Sequence, residues 1–503
     1  MDNDKYLFRR QFILGPEFIN SFSKWNKISI NNELFIKAHP DLEVLKVTFE
    51  EKTIVLLGYI LDPFNPSFNN QEIVNTIAEK ISVADDIFQY IDSMCGRFVF
   101  IVAINDELRI FNDAAGYRQI FYYTDDKNNI WCASQPSIIA EEFGLLTDPG
   151  IAEDLSQLSL IKSEIGRWYP GNITLYKDIY HLTPNHYLDL NRGEVKRYWP
   201  EKSLEPISIE KAAEYSSKIL QGVVESALKR NKLALTVTAG YDTRALLAAC
   251  NMFKENIHYL THTHSNLNEH GADIQIPRKL LERFGLKHHI AYHSDKVDND
   301  FQIIFKRNVT GAKDVHNSNA YAFLKYFQSI GMEMVVAQGE GGGLGKRFYR
   351  LPRFFKVNEK TLATAVGMRG SRTAERAIGE WLESANKGVA YGINILDLLY
   401  WEMRLGNWST LAVSSYDIVF ESLLPFNCRK LLECFISVDI KYRLTKKNTH
   451  LCIIANLWPE LLEFPINPTN NKREEIMEKI RNKEFYGKLR FLRFFYHYLL
   501  GSK

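Results

Sequence analysis

The sequence predicts an α+β domain of antiparallel sheets followed by an α/β domain with a doubly wound parallel sheet and a mainly helical C-terminal part. Three observations carry this reading. Up to about residue 200, short runs rich in Val, Ile, Phe and Tyr succeed one another across polar turns. After residue 208, apolar runs alternate with amphipathic helical patterns, which is the signature of βαβ units. Beyond residue 350 helical patterns prevail. The domains are read as 1–205 and 206–503.

In the first part, residues 53–60, 97–104, 108–112, 119–124 and 130–134 read as strands. Each is a short β-branched or aromatic run, and polar turns such as Asn105-Asp106 and 125–129 separate them. Helical patterns interrupt at 70–81 and 136–143. A polar junction follows, Tyr198-Trp-Pro-Glu-Lys-Ser-Leu-Glu-Pro206. Ser208 then caps a long helix that carries Ala212, Tyr215, Ile219, Val223 and Ala227 on one face. Strands at 233–237, 257–262, 287–291 and 334–337 alternate with helices from about Thr243, at 272–284 and at 317–330.

The stretch 233–250 is the most informative. A buried strand ends in the small-residue turn Thr238-Ala239-Gly240, and the helix that follows carries Ala245, Leu246, Ala248 and Ala249. Free backbone N–H groups and the positive end of a helix dipole converge at such a turn, which makes it an anion site. Thr238 and Thr243 add two hydroxyls, and Asp242 adds a carboxylate suited to Mg²⁺. The combination points to ATP chemistry; a glycine kept for packing alone is the alternative. The turn is not the common Lys-containing phosphate loop, because no Lys follows the glycine at the required place.

Length and composition bound the rest. The chain has 503 residues, 31 Phe and 25 Tyr, enough to bury a substantial core. A net charge of +2 gives no bulk electrostatic case for nucleic acid or membrane as main partner. The cysteines, Cys95, Cys132, Cys250, Cys428, Cys434 and Cys452, form no C-x-x-C pair and most lie in apolar surroundings, so reduced thiols in a cytoplasmic protein are expected. No secretory signal and no membrane-spanning run is visible. Residues 471–503 are basic, amphipathic and aromatic, with Arg481, Lys483, Lys488, Arg490 and Arg493 among Phe485, Tyr486, Phe491, Phe494, Phe495 and Tyr496. They read as a helix packed on its own domain, with peripheral contact to a membrane surface or an acidic partner as the alternative.

A second Gly-rich turn, Gln338-Gly-Glu-Gly-Gly-Gly-Leu-Gly-Lys346, follows the strand at 334–337. In a parallel sheet it lies on the same carboxyl edge as the first turn, and Glu340 is its only acid. Here the chain resembles the asparagine synthetase family. Thr238-Ala-Gly-Tyr-Asp-Thr243 is similar to that family's Ser-Gly-Gly-x-Asp-Ser pyrophosphate loop, and Gly339-Glu-Gly341 to its Gly-Glu-Gly segment. Gly96-Arg-Phe-Val-Phe and Phe111-Asn-Asp-Ala-Ala-Gly-Tyr-Arg-Gln-Ile-Phe-Tyr-Tyr123 resemble the sheet of its class II glutaminase domain. Pro425-Phe-Asn-Cys-Arg429, Tyr442-Arg443, Lys447 and Trp458-Pro-Glu-Leu-Leu462 continue the match in order and spacing.

The resemblance implies an Ntn-hydrolase-like sandwich followed by an adenine nucleotide α-hydrolase-like synthetase domain. It implies that Thr238, Ala239, Gly240, Tyr241, Asp242, Thr243, Gly339 and Gly341 bind ATP, and that Asp242 holds Mg²⁺. Glu340 would orient or deprotonate the nitrogen nucleophile, and Lys447 would stabilise charge on the α-phosphate side. The implied enzyme is an ATP-dependent ligase that adenylates a small-molecule, peptide or glycan carboxylate for attack by ammonia or a substrate amine. Natural-product or surface-polysaccharide tailoring is the expected setting. A degenerate nucleotide-binding scaffold and an asparagine synthase using free ammonia are the alternatives. Homodimerisation is left open.

Two departures qualify the resemblance. A class II glutaminase uses Cys as its mature N-terminal residue, whose free amine serves as base. This chain begins Met1-Asp2-Asn3, and its first cysteine, Cys95, lies in a strand context. Thiolate hydrolysis of glutamine is therefore not expected, and domain 1–205 is read as a scaffold or recognition remnant. Secondly, Gly342-Gly343-Leu344 stands where the family has x-Asp-Glu, so a metal ligand is missing at Gly343. Asp273 is the candidate substitute, or Lys346, Arg347 or Lys447 balances the phosphates directly.

Other polar groups have plainer readings. His258, His262, His264 and His270 cluster about the second parallel strand and are expected to line the nucleotide cleft or a polar loop; metal binding with Asp273 is the alternative. Residues 313–319 suit substrate recognition or a capping loop with Asn317 or Ser318 as cap. Glu402 and Arg404 are read as an internal ion pair, or as a wall of the acceptor pocket.

Overall fold

The computed structural model describes residues 3–158, 168–264, 267, 269–294, 296–310, 314–351, 355–444 and 448–468. Its first twelve strands are β1 (Phe12–Gly15), β2 (Asn26–Ser29), β3 (Phe35–Ala38), β4 (Val44–Phe49), β5 (Lys52–Leu61), β6 (Cys95–Ile104), β7 (Glu107–Asn112), β8 (Phe121–Thr124), β9 (Ile130–Ala133), β10 (Tyr180–His181), β11 (His186–Asp189) and β12 (Glu194–Arg197). They form two six-stranded sheets, ordered β10-β8-β9-β1-β3-β2 and β12-β11-β7-β6-β5-β4. Their pairings are antiparallel throughout.

Strands β5 and β6 are the spine of the second sheet, paired from Lys52↔Ile104 to Leu61↔Cys95. Alternation along a strand sends side chains to opposite faces. Val55, Leu57, Val99 and Ile101 therefore meet Phe12, Leu14 and Ile36 of the first sheet in one core. Ile54, Leu56, Phe98 and Phe100 face the other way, towards Ile73, Val74 and Ile77 of the helix Asn70–Lys80. Asn69 and Glu72 close that helix with a reciprocal capping box.

The helix Ile209–Arg230 opens the second half, and the Ser208 side chain accepts the Lys211 N–H as expected of a cap. The five remaining strands are β13 (Leu233–Thr236), β14 (Ile257–His262), β15 (His288–Ala291), β16 (Val335–Ala337) and β17 (Ser422–Leu423). They run parallel in the order β15-β14-β13-β16-β17. From β13 the chain winds outward through β14 and β15, then returns to the other side of β13 as β16. The direction of winding reverses between β13 and β16, and ligands of open α/β sheets bind at the carboxyl ends of such a switch point.

Several boundaries differ from the sequence reading. The helix after β13 starts at Tyr241, not Thr243, because Gly240 with φ −75° and ψ 162° serves as its N-cap. The helix expected from residue 317 begins at Asp314, so Asn317 and Ser318 lie inside it and cap nothing. The edge strand β17 lies in the stretch read as helical. No helix among the described residues is long and apolar enough to cross a membrane. The basic segment 471–503 and Lys447 lie outside the described residues.

Candidate active site at the switch point

The carboxyl ends of β13, β14 and β16 border a cavity of about 390 Å³. Thr238, Asp242 and Thr243 line it from the first turn and Gly339, Glu340, Gly341 and Gly343 from the second. Asp273, His262 and His264 contribute from the β14 side, and Tyr400 and Tyr416 from the helical part. A broader depression of about 570 Å³, lined by Lys229, Lys232, Asn256 and Met334, opens at the amino ends of the strands, away from both turns.

The two turns touch. A Cβ at Gly342 would lie 2.8 Å from Asp242 Oδ1, and one at Gly339 would lie 3.2 Å from Asp242 Cβ. Gly341 adopts φ 92°, a conformation side chains avoid. Glycine is thus required where the second turn crosses the first. Gly343 has a different reason. A Cβ there would lie 2.0 Å from the Tyr400 hydroxyl, so the phenol fills the space in which the resemblance places an acid.

The first turn is held by its own side chains. Thr238 Oγ1 and Thr243 Oγ1 are 2.8 Å apart, and Thr243 Oγ1 also accepts the Thr238 N–H at 3.3 Å. The Gly240 N–H donates to Thr238 Oγ1 at 3.2 Å, and the Ala239 N–H to Asp273 Oδ1 at 2.9 Å. The Ala239 carbonyl accepts the Asn467 N–H at 2.9 Å. Side-chain oxygens therefore already occupy N–H groups of the turn.

Asp242 lies in the first turn of the helix Tyr241–Ala249, where the helix dipole favours its charge. Lys346 Nζ sits 3.0 Å from each of its oxygens, and His450 Nε2 lies 2.9 Å from Oδ1. Burial pushes the Asp242 pKa up, but Lys346 and His450 outweigh it and hold the value at about 2. The carboxylate is charged throughout the physiological range.

Glu340 is the complementary case. Burial raises its pKa, the hydrogen bond from Ser409 restrains the rise, and nearby Asp242 adds to it. Ser409 Oγ donates to Glu340 Oε2 at 2.7 Å. The Tyr117 hydroxyl lies 3.1 Å from Ser409 Oγ. Since the single Ser409 proton goes to Glu340, Tyr117 is the donor in that second bond. A relay thus runs from the antiparallel sheets into the cavity.

The remaining sequence candidates separate. Glu402 does not pair with Arg404. It is fully buried and binds Arg197 through both oxygens, at 2.5 and 2.8 Å, while accepting from Asn185 and Trp381 at 2.7 Å each. Arg404 instead stacks on Trp408, 3.4 Å from its ring centroid. Two residues apart on a helical stretch, the two side chains point to different faces. His262, lowered to about 4 chiefly by burial, and His264 line the cavity. His258 faces Tyr326 at 2.5 Å. Among the described residues no group of three His, Cys, Asp or Glu side chains can hold a metal ion. Sequence reasoning missed Tyr400, Ser409, Tyr117 and His450. All four lie far from both turns in the chain; Tyr117 sits in the motif 111–123, which points only to a sheet, and no local motif marks the other three.

No family model matches the chain, and no curated protein matches it. Among solved structures it is similar to a glutamine phosphoribosylpyrophosphate amidotransferase from B. subtilis complexed with ADP and GMP, at 9% identity and TM-score 0.24, over 67% of this chain and 71% of that one. It is also similar to an NH3-dependent NAD synthetase from Campylobacter jejuni, at 15% identity and TM-score 0.22, over 39% of this chain and 94% of that one. A glutamine-dependent NAD+ synthetase from Acinetobacter baumannii, complexed with ADP, follows at 12% identity and TM-score 0.20, over 47% of this chain and 48% of that one. Likenesses at this level establish nothing about the chemistry of this chain.

Proposed function

We propose that the chain is an ATP-dependent carbon–nitrogen ligase of asparagine synthetase-like design. It activates a carboxylate as an acyl-adenylate and passes it to ammonia or a substrate amine. One observation carries the reading: two glycine turns cross at the switch point of a parallel sheet and bring Asp242 and Glu340 into one cavity. In the first step a carboxylate oxygen attacks the α-phosphorus of ATP, an O–P bond forms, and pyrophosphate leaves against the turn 238–243. In the second step the amine nitrogen attacks the acyl carbon, Glu340 takes a proton from nitrogen, and AMP leaves. A carboxylate with a raised pKa is the stronger base for that transfer. Lys447 is assigned to charge on the α-phosphate side on the strength of the resemblance alone.

The nitrogen comes from free ammonia or a substrate amine rather than from glutamine. Cys95 is fully buried, burial raises its thiol pKa, and its Sγ donates to the Leu424 carbonyl at 3.3 Å. Nothing there resembles an accessible thiolate. The Mg²⁺ that the resemblance implies does not fit the residues present: the Lys346 ammonium stands 3.0 Å from both Asp242 oxygens, and the Tyr400 hydroxyl fills the place of a second acid. No step is assigned to a metal.

The occupied N–H groups of Ala239 and Gly240 favour a second reading, a nucleotide-binding scaffold without turnover. ATP–pyrophosphate exchange with a panel of small-molecule, peptide and glycan carboxylates, aspartate among them, separates the two. The ligase reading expects exchange with one class and its loss in Asp242→Ala. Bound ATP with no exchange across the panel supports the scaffold.

A further inference from the structure

We infer that Lys346 takes the part of a divalent cation at this site, so that the protein binds a nucleotide triphosphate or pyrophosphate as the metal-free anion. The inference rests on the nucleotide-binding reading above and concerns how that site meets phosphate charge.

The argument starts from Asp242. A carboxylate serves a bridging cation when its oxygens are free and a second acid stands close. At Asp242 an ammonium already stands against both oxygens, and Glu340, the acid that shares the cavity, is held by Ser409. Lys346 Nζ lies 3.0 Å from both Asp242 oxygens and donates to Oδ2, while the fully buried His450 places Nε2 2.9 Å from Oδ1. The neighbouring position that would supply a second acid is Gly343, and a side chain there meets the Tyr400 hydroxyl at 2.0 Å. A doubly charged ion at Asp242 would have to expel the ammonium or sit beside it.

Lys346 is well placed for the substitution. It follows the second turn directly and reaches back to the first, spanning the two segments a bridging cation would span. Its side chain is 32% exposed, and the ammonium lies over the Tyr241 ring at 5.3 Å from the centroid. An ammonium has three donors; Lys346 gives one to Asp242 Oδ2 at 3.0 Å, which leaves donors for phosphate oxygens. Asp242 then orients the lysine rather than a metal, and the helix start at Tyr241 supplies further positive potential.

The test is calorimetric titration of the full-length protein with inorganic pyrophosphate and with ATP, once in excess EDTA and once in Mg²⁺. The wild type should bind both ligands in EDTA as tightly as in Mg²⁺, within about threefold. Lys346→Met should lose about tenfold or more in EDTA, the loss expected for a charge-assisted hydrogen bond, and should regain affinity when Mg²⁺ occupies the freed Asp242. Lys346→Arg, which keeps the charge, should bind in EDTA and controls for folding together with the melting temperature of each variant. Wild-type binding that requires Mg²⁺ and ignores Lys346→Met overturns this inference and leaves the ligase reading standing. No binding of ATP or pyrophosphate under either condition overturns both.

Discussion

Ser409→Ala removes the hydroxyl that donates to Glu340 Oε2 at 2.7 Å, and it deprives the Tyr117 hydroxyl of its partner. A hydrogen bond to a charged group contributes about 1.5–3 kcal/mol, and Glu340 is only half-buried, so about 1–2 kcal/mol is the working figure. That energy favours the ionised form. At about 1.4 kcal/mol per pKa unit, its loss raises the Glu340 pKa by about one unit. The sign of the stability effect follows from burial, which already places the folded pKa above the unfolded one. The stabilising contribution of the protonated form is full at low pH and is lost as pH rises through the folded value. In Ser409→Ala that loss runs about one pH unit further. The variant should therefore be destabilised relative to wild type by about 1–2 kcal/mol more at pH 8 than at pH 4. The broken Tyr117 bond costs the same at both. Urea unfolding followed by tryptophan fluorescence measures the difference, and the acid limb of amide formation should move up by the same unit. Equal destabilisation at both pH values, with an unmoved acid limb, would refute the relay.

Gly343→Ala should destabilise the protein by about 1–3 kcal/mol through overpacking against the Tyr400 hydroxyl; Tyr400→Phe in the same chain should recover most of it, as read from melting temperatures. Arg197→Met strands the fully buried Glu402 and should cost about 3–5 kcal/mol in urea unfolding; a cost below about 1 kcal/mol would show that Asn185 and Trp381 suffice. Asp273→Ala frees the Ala239 N–H and should tighten pyrophosphate binding several-fold. Weaker binding would make Asp273 part of the ligand site instead of a competitor. The purified protein should release no ammonia from glutamine, because the Cys95 thiol is sealed from solvent; measurable glutaminase activity would reverse the reading of the antiparallel sheets.

The parallel sheet was legible because short strand-forming runs, apolar in β13 and β16 and mixed with His and Thr in β14 and β15, alternate with helices. β17 was not: Ser422–Leu423 is two residues long and carries no period. Strands β1 to β4 and β10 to β12 escaped for a related reason. β2 is exposed along most of its length, so no alternation of apolar and polar residues marks it. Both glycine turns could be read, since a turn's chemistry is local. The groups that tune them could not. Tyr400 and Ser409 bracket a π-helical stretch in a region of unremarkable composition, and only tertiary packing brings them to Gly343 and Glu340. The expected Glu402–Arg404 pair does not form because residues two apart on a helical stretch do not share a face.

These contacts also give the antiparallel sheets a task that needs no nucleophile. The Asp113 carboxylate accepts the backbone N–H groups of Phe98, Tyr117 and Arg118, and so fixes the loop after β7. That loop presents Tyr117 to Ser409, the Ala114 carbonyl to Trp401 Nε1 at 2.7 Å, and the Ala115 N–H to Asn427 at 3.0 Å. Arg97 binds Asp417, and Arg118 binds Glu421 at 3.0 Å, beside the edge strand β17. The helical wall that carries Tyr400 and Ser409 is thus braced from the first half of the chain. Residues 206–503 expressed alone would lose the Arg97 and Arg197 partners of Asp417 and Glu402 and expose the surface that residues 1–205 cover, at a cost of several kcal/mol in all. That exceeds what a marginally stable domain can absorb. The fragment should fail to give a cooperative unfolding transition, and co-expression with residues 1–205 should restore it. A fragment that folds alone and still binds pyrophosphate would show that the braces are dispensable and that the antiparallel sheets serve some other end.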